Sequence, residues 1–304
     1  MKSRYTIQGG AVRTAMVGVP RLAGRVLAGA VALLLISAIF GDRAWAITGG
    51  EPDDGRHPNV GVMIIYDPAI GSVHTFESGT LIHPRVFLTA GHGQAFIESL
   101  GFTLLGVTFD QEPNLEDETT WLQISDLTYS YDFSGASLNS SETSASPNSS
   151  DIGLLILKEP VRGIVPATLP AAGFLDDLKQ ARQLKAGPHG TELTVVGFGM
   201  LLDWPPPETF WEDPVRRNLA QSGYLGLNDG WLLLNHNLAA GHGGVANGDS
   251  GGPTFWTDPK TGEEVLVSIT SWATPERVGI GVSYRIDTVE SLQFIQDVIN
   301  SLEK

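Results

Sequence analysis

Short apolar runs, separated by turn-forming residues, dominate the chain between residues 59 and 286. Glycine, proline, asparagine and aspartate interrupt these runs at short intervals. Runs of this length and spacing are typical of an all-β sandwich or barrel, and periodicity alone does not separate the two. The predicted strands cover residues 60–66, 80–82, 86–89, 102–109, 121–129, 151–157, 192–197, 231–234, 265–272 and 279–286.

The last segment of the chain has a helical period instead. Apolar residues recur at every third or fourth position from Val289 to Leu302, and this spacing predicts an amphipathic helix. Asp287, followed three residues later by Glu290, predicts the start of this helix as a capping pair. We therefore expect one C-terminal helix that packs against the strands.

The first 46 residues differ in composition from the rest of the chain. Basic residues precede an apolar run over 26–40, and the sequence Ala-Trp-Ala at 44–46 supplies a small-residue cleavage site. This order predicts a secretory signal peptide over residues 1–46. An uncleaved membrane anchor is the alternative, but the apolar run is short for a spanning helix. We expect residues 47–304 to be secreted or periplasmic, without stable membrane association once the signal is removed.

Charge and cysteine content exclude several classes of function. The chain has 19 basic and 34 acidic residues and a net charge of −15, and removing the basic start makes the remainder more acidic. An acidic surface disfavours nucleic acid, so we expect no nucleic-acid partner. The absence of cysteine excludes disulfides and cysteine-thiolate metal sites.

One motif carries a candidate nucleophile. Residues 248–253 read Gly-Asp-Ser-Gly-Gly-Pro, with glycines on both sides of Ser250. Glycine allows sharp backbone turns, so the hydroxyl can stand clear while backbone amides point at one spot. An ordinary turn is the alternative interpretation, because serine becomes a nucleophile only beside a base.

A candidate base and a residue to orient it lie upstream. His92 ends the apolar stretch 88–92, and Asp151 opens the strand-like run 151–157. Histidine titrates near neutral pH, so it can take a serine proton and return it, and an aspartate can hold the imidazole and stabilise its positive form. No HExxH or similar spacing indicates a metal site, and we expect no metal and no cofactor. We expect the other six histidines to be structural, namely His57, His74, His83, His189, His236 and His242.

These motifs resemble those of the trypsin/chymotrypsin family of serine proteases. His92 lies in a variant of the family's Thr-Ala-Ala-His-Cys motif, Asp151 in its Asp-Ile-Ala-Leu-Leu motif and Ser250 in its Gly-Asp-Ser-Gly-Gly-Pro motif. Residues 47–50, Ile-Thr-Gly-Gly, resemble its mature N-terminus. The order His, Asp, Ser along the chain is that of the serine protease triad. The resemblance implies two antiparallel six-stranded β-barrels with the active site between them and a C-terminal α-helix.

The resemblance also implies roles beside the nucleophile. The backbone amides of Gly248 and Ser250 would form the oxyanion hole. Cleavage after Ala46 would free the α-amine of Ile47, which would form an ion pair with Asp249 and order the oxyanion loop. A separate activation peptide would then be unnecessary.

The expected substrate-binding residues follow from the same resemblance. They are Gly244, Val245, Asn247, Ser271, Trp272, Ala273 and Gly281. Residues 271–273 would pair with the substrate backbone and wall the primary pocket, although Trp272 is also explained as plain core. Gly244 would lie at the pocket base, where trypsin-type members carry an aspartate. An uncharged pocket should reject Lys and Arg and favour medium apolar side chains such as Leu, Met or Phe.

The chain departs from the family at its cysteine positions, where Glu77, Gly93 and Ala246 stand instead. Two stretches, 132–150 and 203–214, also break the strand rhythm. They predict surface loops, either near the substrate cleft or as variable decoration.

The leading hypothesis is a secreted serine endopeptidase, a hydrolase whose partners are protein or peptide substrates. A catalytically silent, protease-like binding protein is one alternative, although such proteins typically lose a triad member. A serine esterase is another, but that fold needs a histidine after the serine, and none follows Ser250. The sequence indicates no oligomeric state.

Overall fold

A computed structural model describes residues 47–132, 150–203, 208–210, 215–274 and 279–303 of the protein. The predicted signal peptide, residues 1–46, lies outside these ranges, as do residues 133–149, 204–207 and 211–214 of the two predicted loops. Within the described ranges, no helix combines the length and hydropathy needed to cross a membrane.

The first half of the described chain forms a six-stranded antiparallel sheet, with the order β5-β2-β3-β4-β7-β6. After a short strand β1 (Glu51–Pro52), its members are β2 (Val60–Asp67), β3 (Ser72–His83), β4 (Val86–Thr89), β5 (Thr103–Thr108), β6 (Ile124–Asp132) and β7 (Ser150–Leu157). A bridge between Val107 and Leu122, with amide-to-carbonyl distances of 3.1 and 2.8 Å, joins β5 to the chain before β6. The sheet is therefore a partly closed barrel.

The second half forms a closed barrel. Its elements are β8 (Glu192–Gly197), β11 (Asn218–Leu227), β12 (Trp231–Asn235), β13 (Pro253–Thr257), β14 (Glu264–Thr274) and β15 (Ile280–Arg285), while β9 (Leu201–Asp203) and β10 (Glu208–Phe210) pair as a separate hairpin. The sheet order is β1-β11-β12-β15-β14-β13-β8, and β8 also pairs with β11, which closes the ring. The predicted all-β fold with two six-stranded barrels is confirmed.

Three α-helices complete the described fold: α1 (Gly91–Leu100), α2 (Phe174–Gln180) and α3 (Val289–Leu302). The predicted C-terminal helix is α3, but its predicted cap was wrong. Thr288 caps the helix by accepting from the amide of Ser291 at 3.1 Å. Asp287 instead accepts hydrogen bonds from Arg285 and from the amide of Leu175. The Asp287 side chain, which the local pattern assigned to the helix cap, thus forms a buried ion pair with Arg285 instead.

The largest apolar cluster contains side chains from both barrels. It includes Val86, Leu88 and Leu154 from the first sheet and Val196 and Ile269 from the second. Burial of this shared apolar surface stabilises the arrangement of the two barrels. The ends of β4 and β7 and the loop before β13 are therefore held in one fixed arrangement.

Candidate active site

The first barrel places His92 beside Asp151. Strand β4 ends at Thr89, and His92 lies in the first turn of α1. Because Thr89 pairs with Gly153 of β7, the start of β7 brings Asp151 next to this turn. The His92 amide donates to Asp151 Oδ1 at 2.8 Å, and His92 Nδ1 lies 2.9 Å from Oδ2.

The second barrel presents Ser250 to the other side of the imidazole. Ser250 Oγ lies 2.9 Å from His92 Nε2. Gly248 and Gly251, on either side of the serine, have φ angles of 96° and 74°, a region that glycine enters without steric cost. Asp151, His92 and Ser250 thus form one continuous chain of hydrogen bonds.

Asp151 is held from a second direction. Its side chain is fully buried, and Ser271 Oγ donates a hydrogen bond to Oδ2. Ser271 belongs to β14, so the second barrel also fixes the carboxylate that faces His92. A carboxylate held in this way orients the imidazole and stabilises its protonated form.

The loop that carries the two amides predicted to form an oxyanion hole is held by hydrogen bonds to its carbonyls. The Gly248 carbonyl accepts from Ser78 N at 3.1 Å and from Ser78 Oγ at 2.9 Å, and the Asn247 carbonyl accepts from Met200 N at 2.7 Å. These bonds fix the peptide planes around the loop. In the described part of the chain, neither the Gly248 nor the Ser250 amide donates to a protein acceptor. Two such donors can bind a developing oxyanion.

A second carboxylate reaches the same imidazole. Glu77, on β3, is 3% exposed, and its Oε1 lies 3.1 Å from His92 Nε2. Gly93 leaves room for it, since a Cβ at that position would lie 1.8 Å from Glu77 Oε2. The sequence marked Glu77 only as a replacement for a family cysteine and missed this contact. An acidic residue at a position expected to be buried was the available signal.

The protonation of His92 and Glu77 follows from their burial and from the charges around them. Burial alone would lower the pKa of His92, but the charges of Glu77 and Asp151 and their hydrogen bonds raise it well above the ordinary value. Burial raises the pKa of Glu77, and the opposing charge of His92 offsets part of this effect. A proton at this site is therefore held more tightly than on an isolated histidine.

Asp249 is a fully buried carboxylate next to the candidate nucleophile, Ser250. Its oxygens accept hydrogen bonds from Gly199 N at 2.8 Å and from Ala246 N at 2.7 Å. Burial raises its pKa to about 7, although these two amides act in the opposite direction. Among the described residues, no cation acts on this carboxylate to compensate its charge.

The predicted partner of Asp249, Ile47, is also fully buried. The next residue, Thr48, forms a bridge with Gly244, whose amide donates to the Thr48 carbonyl at 2.8 Å. The segment that begins at Ile47 thus runs beside the loop leading to the nucleophile. In the uncut chain the nitrogen of Ile47 is an uncharged peptide amide, so an ion pair with Asp249 requires cleavage.

The predicted pocket residues lie on three neighbouring segments. Gly244 and Val245 lie in the loop before the nucleophile, residues 271–273 on β14 and Gly281 on β15. Ala273 pairs directly with Gly281 in the sheet. Val245 and Ser271 are buried, Trp272 and Ala273 are half-buried, and Asn247 is exposed.

The ring of His236 lies where this pocket was expected. A Cβ on Gly244 would lie 2.2 Å from His236 Cγ, and one on Gly281 would lie 2.2 Å from Cε1 and Nε2. His236 is fully buried, and neither ring nitrogen has a partner among the described residues. Burial lowers its pKa to about 4, and His242 acts in the same direction. From the sequence we expected His236 to be structural. The missed signal was the pair of glycines, Gly244 and Gly281, that face its ring.

A family model described as Trypsin matches residues 48–292, which include His92, Asp151 and Ser250. No curated protein matches the chain in a direct sequence comparison.

Proposed function

Since the chain belongs to the trypsin family of serine proteases, we propose that it is a secreted serine endopeptidase. The hydrogen-bonded chain from Asp151 through His92 to Ser250 carries this proposal, with the serine oxygen 2.9 Å from the imidazole nitrogen. All three side chains are supplied by elements whose position the two barrels fix. This is the arrangement that activates a serine for acyl transfer.

The proposed reaction proceeds through an acyl-enzyme. Ser250 Oγ attacks the scissile carbonyl while His92 Nε2 takes its proton, and Asp151 stabilises the imidazolium. The amides of Gly248 and Ser250 bind the oxyanion of the tetrahedral intermediate. His92 then returns the proton to the leaving amine, and water, activated by the same base, hydrolyses the ester.

The proposed preference is for apolar residues before the scissile bond. None of the residues predicted to line the pocket is charged. His236, whose pKa is lowered to about 4, is neutral at physiological pH and offers no anion. A lysine or arginine side chain would therefore enter as an unpaired cation, which is costly to desolvate.

We also propose that removal of residues 1–46 yields the active form. The burial of Ile47 and the bridge between Thr48 and Gly244 support this proposal. Both observations favour a new terminus beside the nucleophile loop, where its amine would compensate the buried charge of Asp249. Such an ion pair would couple secretion to ordering of the oxyanion loop.

Replacing Ser250 with alanine tests the proposed function. Peptidase turnover should fall by on the order of 10⁴-fold or more, and labelling by a fluorophosphonate should disappear. Ser301→Ala, which changes an exposed serine on α3, serves as the matched control and should keep both activities. A folded Ser250→Ala protein with near-normal cleavage would contradict the proposal, and a wild-type protein that is folded but never labelled would favour a binding role.

A further inference from the structure

The catalytic base has two candidate partners on the same nitrogen. His92 Nε2 lies 2.9 Å from Ser250 Oγ and 3.1 Å from Glu77 Oε1. The other ring nitrogen, Nδ1, faces Asp151 at 2.9 Å. An imidazole that donates from Nδ1 has one remaining site, the Nε2 lone pair, and the proposed reaction needs that site for the serine proton.

The distance from Glu77 to Nε2 has a consequence for the proton. A carboxylate oxygen cannot approach an imidazole lone pair at hydrogen-bond distance without a proton between them, because both atoms are acceptors. The proton lies either on Nε2, which gives an imidazolium and a carboxylate, or on Oε1, which gives a neutral acid and a neutral imidazole. The total charge is the same in both states, and in both the lone pair is occupied.

We propose that Glu77 is a positioning residue that shares one proton with His92 and thereby sets the pH range in which the serine protease works. The base becomes available only when this shared proton leaves, so activity should rise at a higher pH than an ordinary histidine allows. After Ser250 transfers its own proton to Nε2, the imidazolium faces two carboxylates, Glu77 and Asp151. Glu77 therefore also stabilises the charge that forms in the transition state.

The surroundings leave Glu77 as the group that distinguishes this base. Among the described residues, four elements bring polar or titratable groups towards His92. They are β3 with Glu77, β7 with Asp151, the nucleophile loop with Ser250, and β6 with Tyr131, whose ring centroid lies 6.2 Å from the imidazole. Thr89 Oγ1 lies 3.5 Å from Glu77 Oε2, within donating distance of the oxygen that does not face His92.

The space that admits the carboxylate is created by Gly93. A Cβ at that position would lie 1.8 Å from Glu77 Oε2 and 2.1 Å from Glu77 Cδ. Gly93→Ala should therefore displace the carboxylate while leaving its charge in the chain. This variant separates the placement of Glu77 from its mere presence.

The experiment compares Glu77→Gln and Gly93→Ala with wild type by the pH dependence of kcat/KM on a peptide substrate. For Glu77→Gln the acidic limb should move down by about 1–3 pH units, the effect of one opposite charge at this distance. Gly93→Ala should move it in the same direction. Glu98→Gln removes an exposed carboxylate on α1 and should leave the limb unchanged.

A second measurement does not depend on activity. NMR titration of His92 in the Ser250→Ala background should show a lower pKa when Glu77→Gln is added. This inference rests on the proposed function, but the two can fail separately. If the wild-type protein is inactive and the His92 titration still depends on Glu77, the protease proposal is contradicted and the shared proton is supported. If folded Glu77→Gln protein keeps both the wild-type acidic limb and the wild-type His92 titration, the inference is wrong.

Discussion

Replacing Arg217 with alanine should cost the domain about 3–5 kcal/mol of unfolding free energy, because it breaks a buried ion pair from one side. The guanidinium is 2% exposed, and its Nε donates to Asp53 Oδ2 at 2.9 Å. Its Nη1 donates to the carbonyls of Val60 at 2.8 Å and Phe109 at 3.1 Å. Arg217 directly precedes β11, so one side chain ties the second barrel to the first. Its loss leaves a buried carboxylate and two carbonyls short of a donor.

The lower end of that range is the better expectation, since Asp53 keeps other donors. The amide of His57 donates to it at 3.0 Å, and the imidazole contacts its second oxygen. Burial would raise the pKa of Asp53, but hydrogen bonds from His57 and Arg217 lower it to about 2. Stability from this carboxylate is present above its unfolded pKa of 3.8 and is lost as the pH falls through about 2. Without Arg217 the loss should begin at higher pH.

The chain offers a matched control in Arg56. This arginine also makes three hydrogen bonds to the segment 51–53, donating to Glu51 Oε1 at 2.8 Å, to the Asp53 carbonyl at 2.8 Å and to the Pro52 carbonyl at 2.7 Å. Its side chain is 48% exposed, so its ion pair is screened, and Arg56→Ala should cost at most about 1 kcal/mol. The two variants differ in burial while residue type and number of bonds stay the same.

The assay is urea unfolding followed by tryptophan fluorescence in the Ser250→Ala background, which prevents self-cleavage. Unfolding curves at pH 7 give the two free-energy losses, and curves at lower pH give the position of the acid transition. Equal losses for Arg217→Ala and Arg56→Ala would refute the argument that burial decides the contribution. A loss under about 1 kcal/mol for Arg217→Ala would refute it as well.

Two further predictions concern the substrate pocket and the N-terminus. His236→Ala should empty the space between Gly244 and Gly281 and raise kcat/KM for Phe relative to Leu before the scissile bond by about tenfold or more, since one methylene is worth about 1–3 kcal/mol in such a pocket. A peptide-library profile identical to wild type would show that the imidazole does not limit the pocket. The active secreted form should begin at Ile47, and an extra residue before it should lower activity because the amine would miss Asp249. N-terminal sequencing of active protein decides this, and activity from a start well upstream would contradict it.

The sequence could predict the elements whose apolar pattern is strong. Strand β4 at Val86–Thr89 coincides with the predicted run 86–89, and β7 with 151–157 to within one residue. Strand β3 was predicted only over 80–82 but spans Ser72–His83. Its first half is mostly polar, and residues 72–75 pair with β2. Backbone pairing, which an apolar count does not register, extends this strand.

Strand β11 was missed for a related reason. It spans Asn218–Leu227 and contains the polar residues Gln221 and Ser222 in its centre. Ser222 is fully buried because its hydroxyl donates to the Gly243 carbonyl at 2.8 Å. A tertiary acceptor thus makes a polar side chain suitable for a barrel interior, and no local pattern reveals that acceptor.

The residues of the candidate site also fall into those that local motifs predict and those that only tertiary contacts reveal. The motifs predicted that His92, Asp151 and Ser250 act together, because the chemistry of acyl transfer limits the residue types that can do so, and the structure brings these side chains into contact. The motifs could not identify Glu77 or His236, because the position of each side chain depends on glycines elsewhere in the sequence. Gly93 leaves space for Glu77, and the ring of His236 lies between Gly244 and Gly281. These pairs are separated in sequence and meet only in the barrels.

The absence of cysteine therefore changes more than stability. The resemblance assigns a cysteine pair to the positions of Glu77 and Gly93, and such a pair would fill the space beside His92 with neutral sulfur. The chain fills it with a buried carboxylate, whose Oε1 lies 3.1 Å from the base. Burying that charge is costly unless a cation compensates it, and the imidazolium of His92 is the nearest cation the reaction provides. The substitution thus couples a structural position to the protonation of His92. We therefore expect the contacts that glycine makes possible, those of Glu77 and His236, to set the pH range and the specificity of this protein.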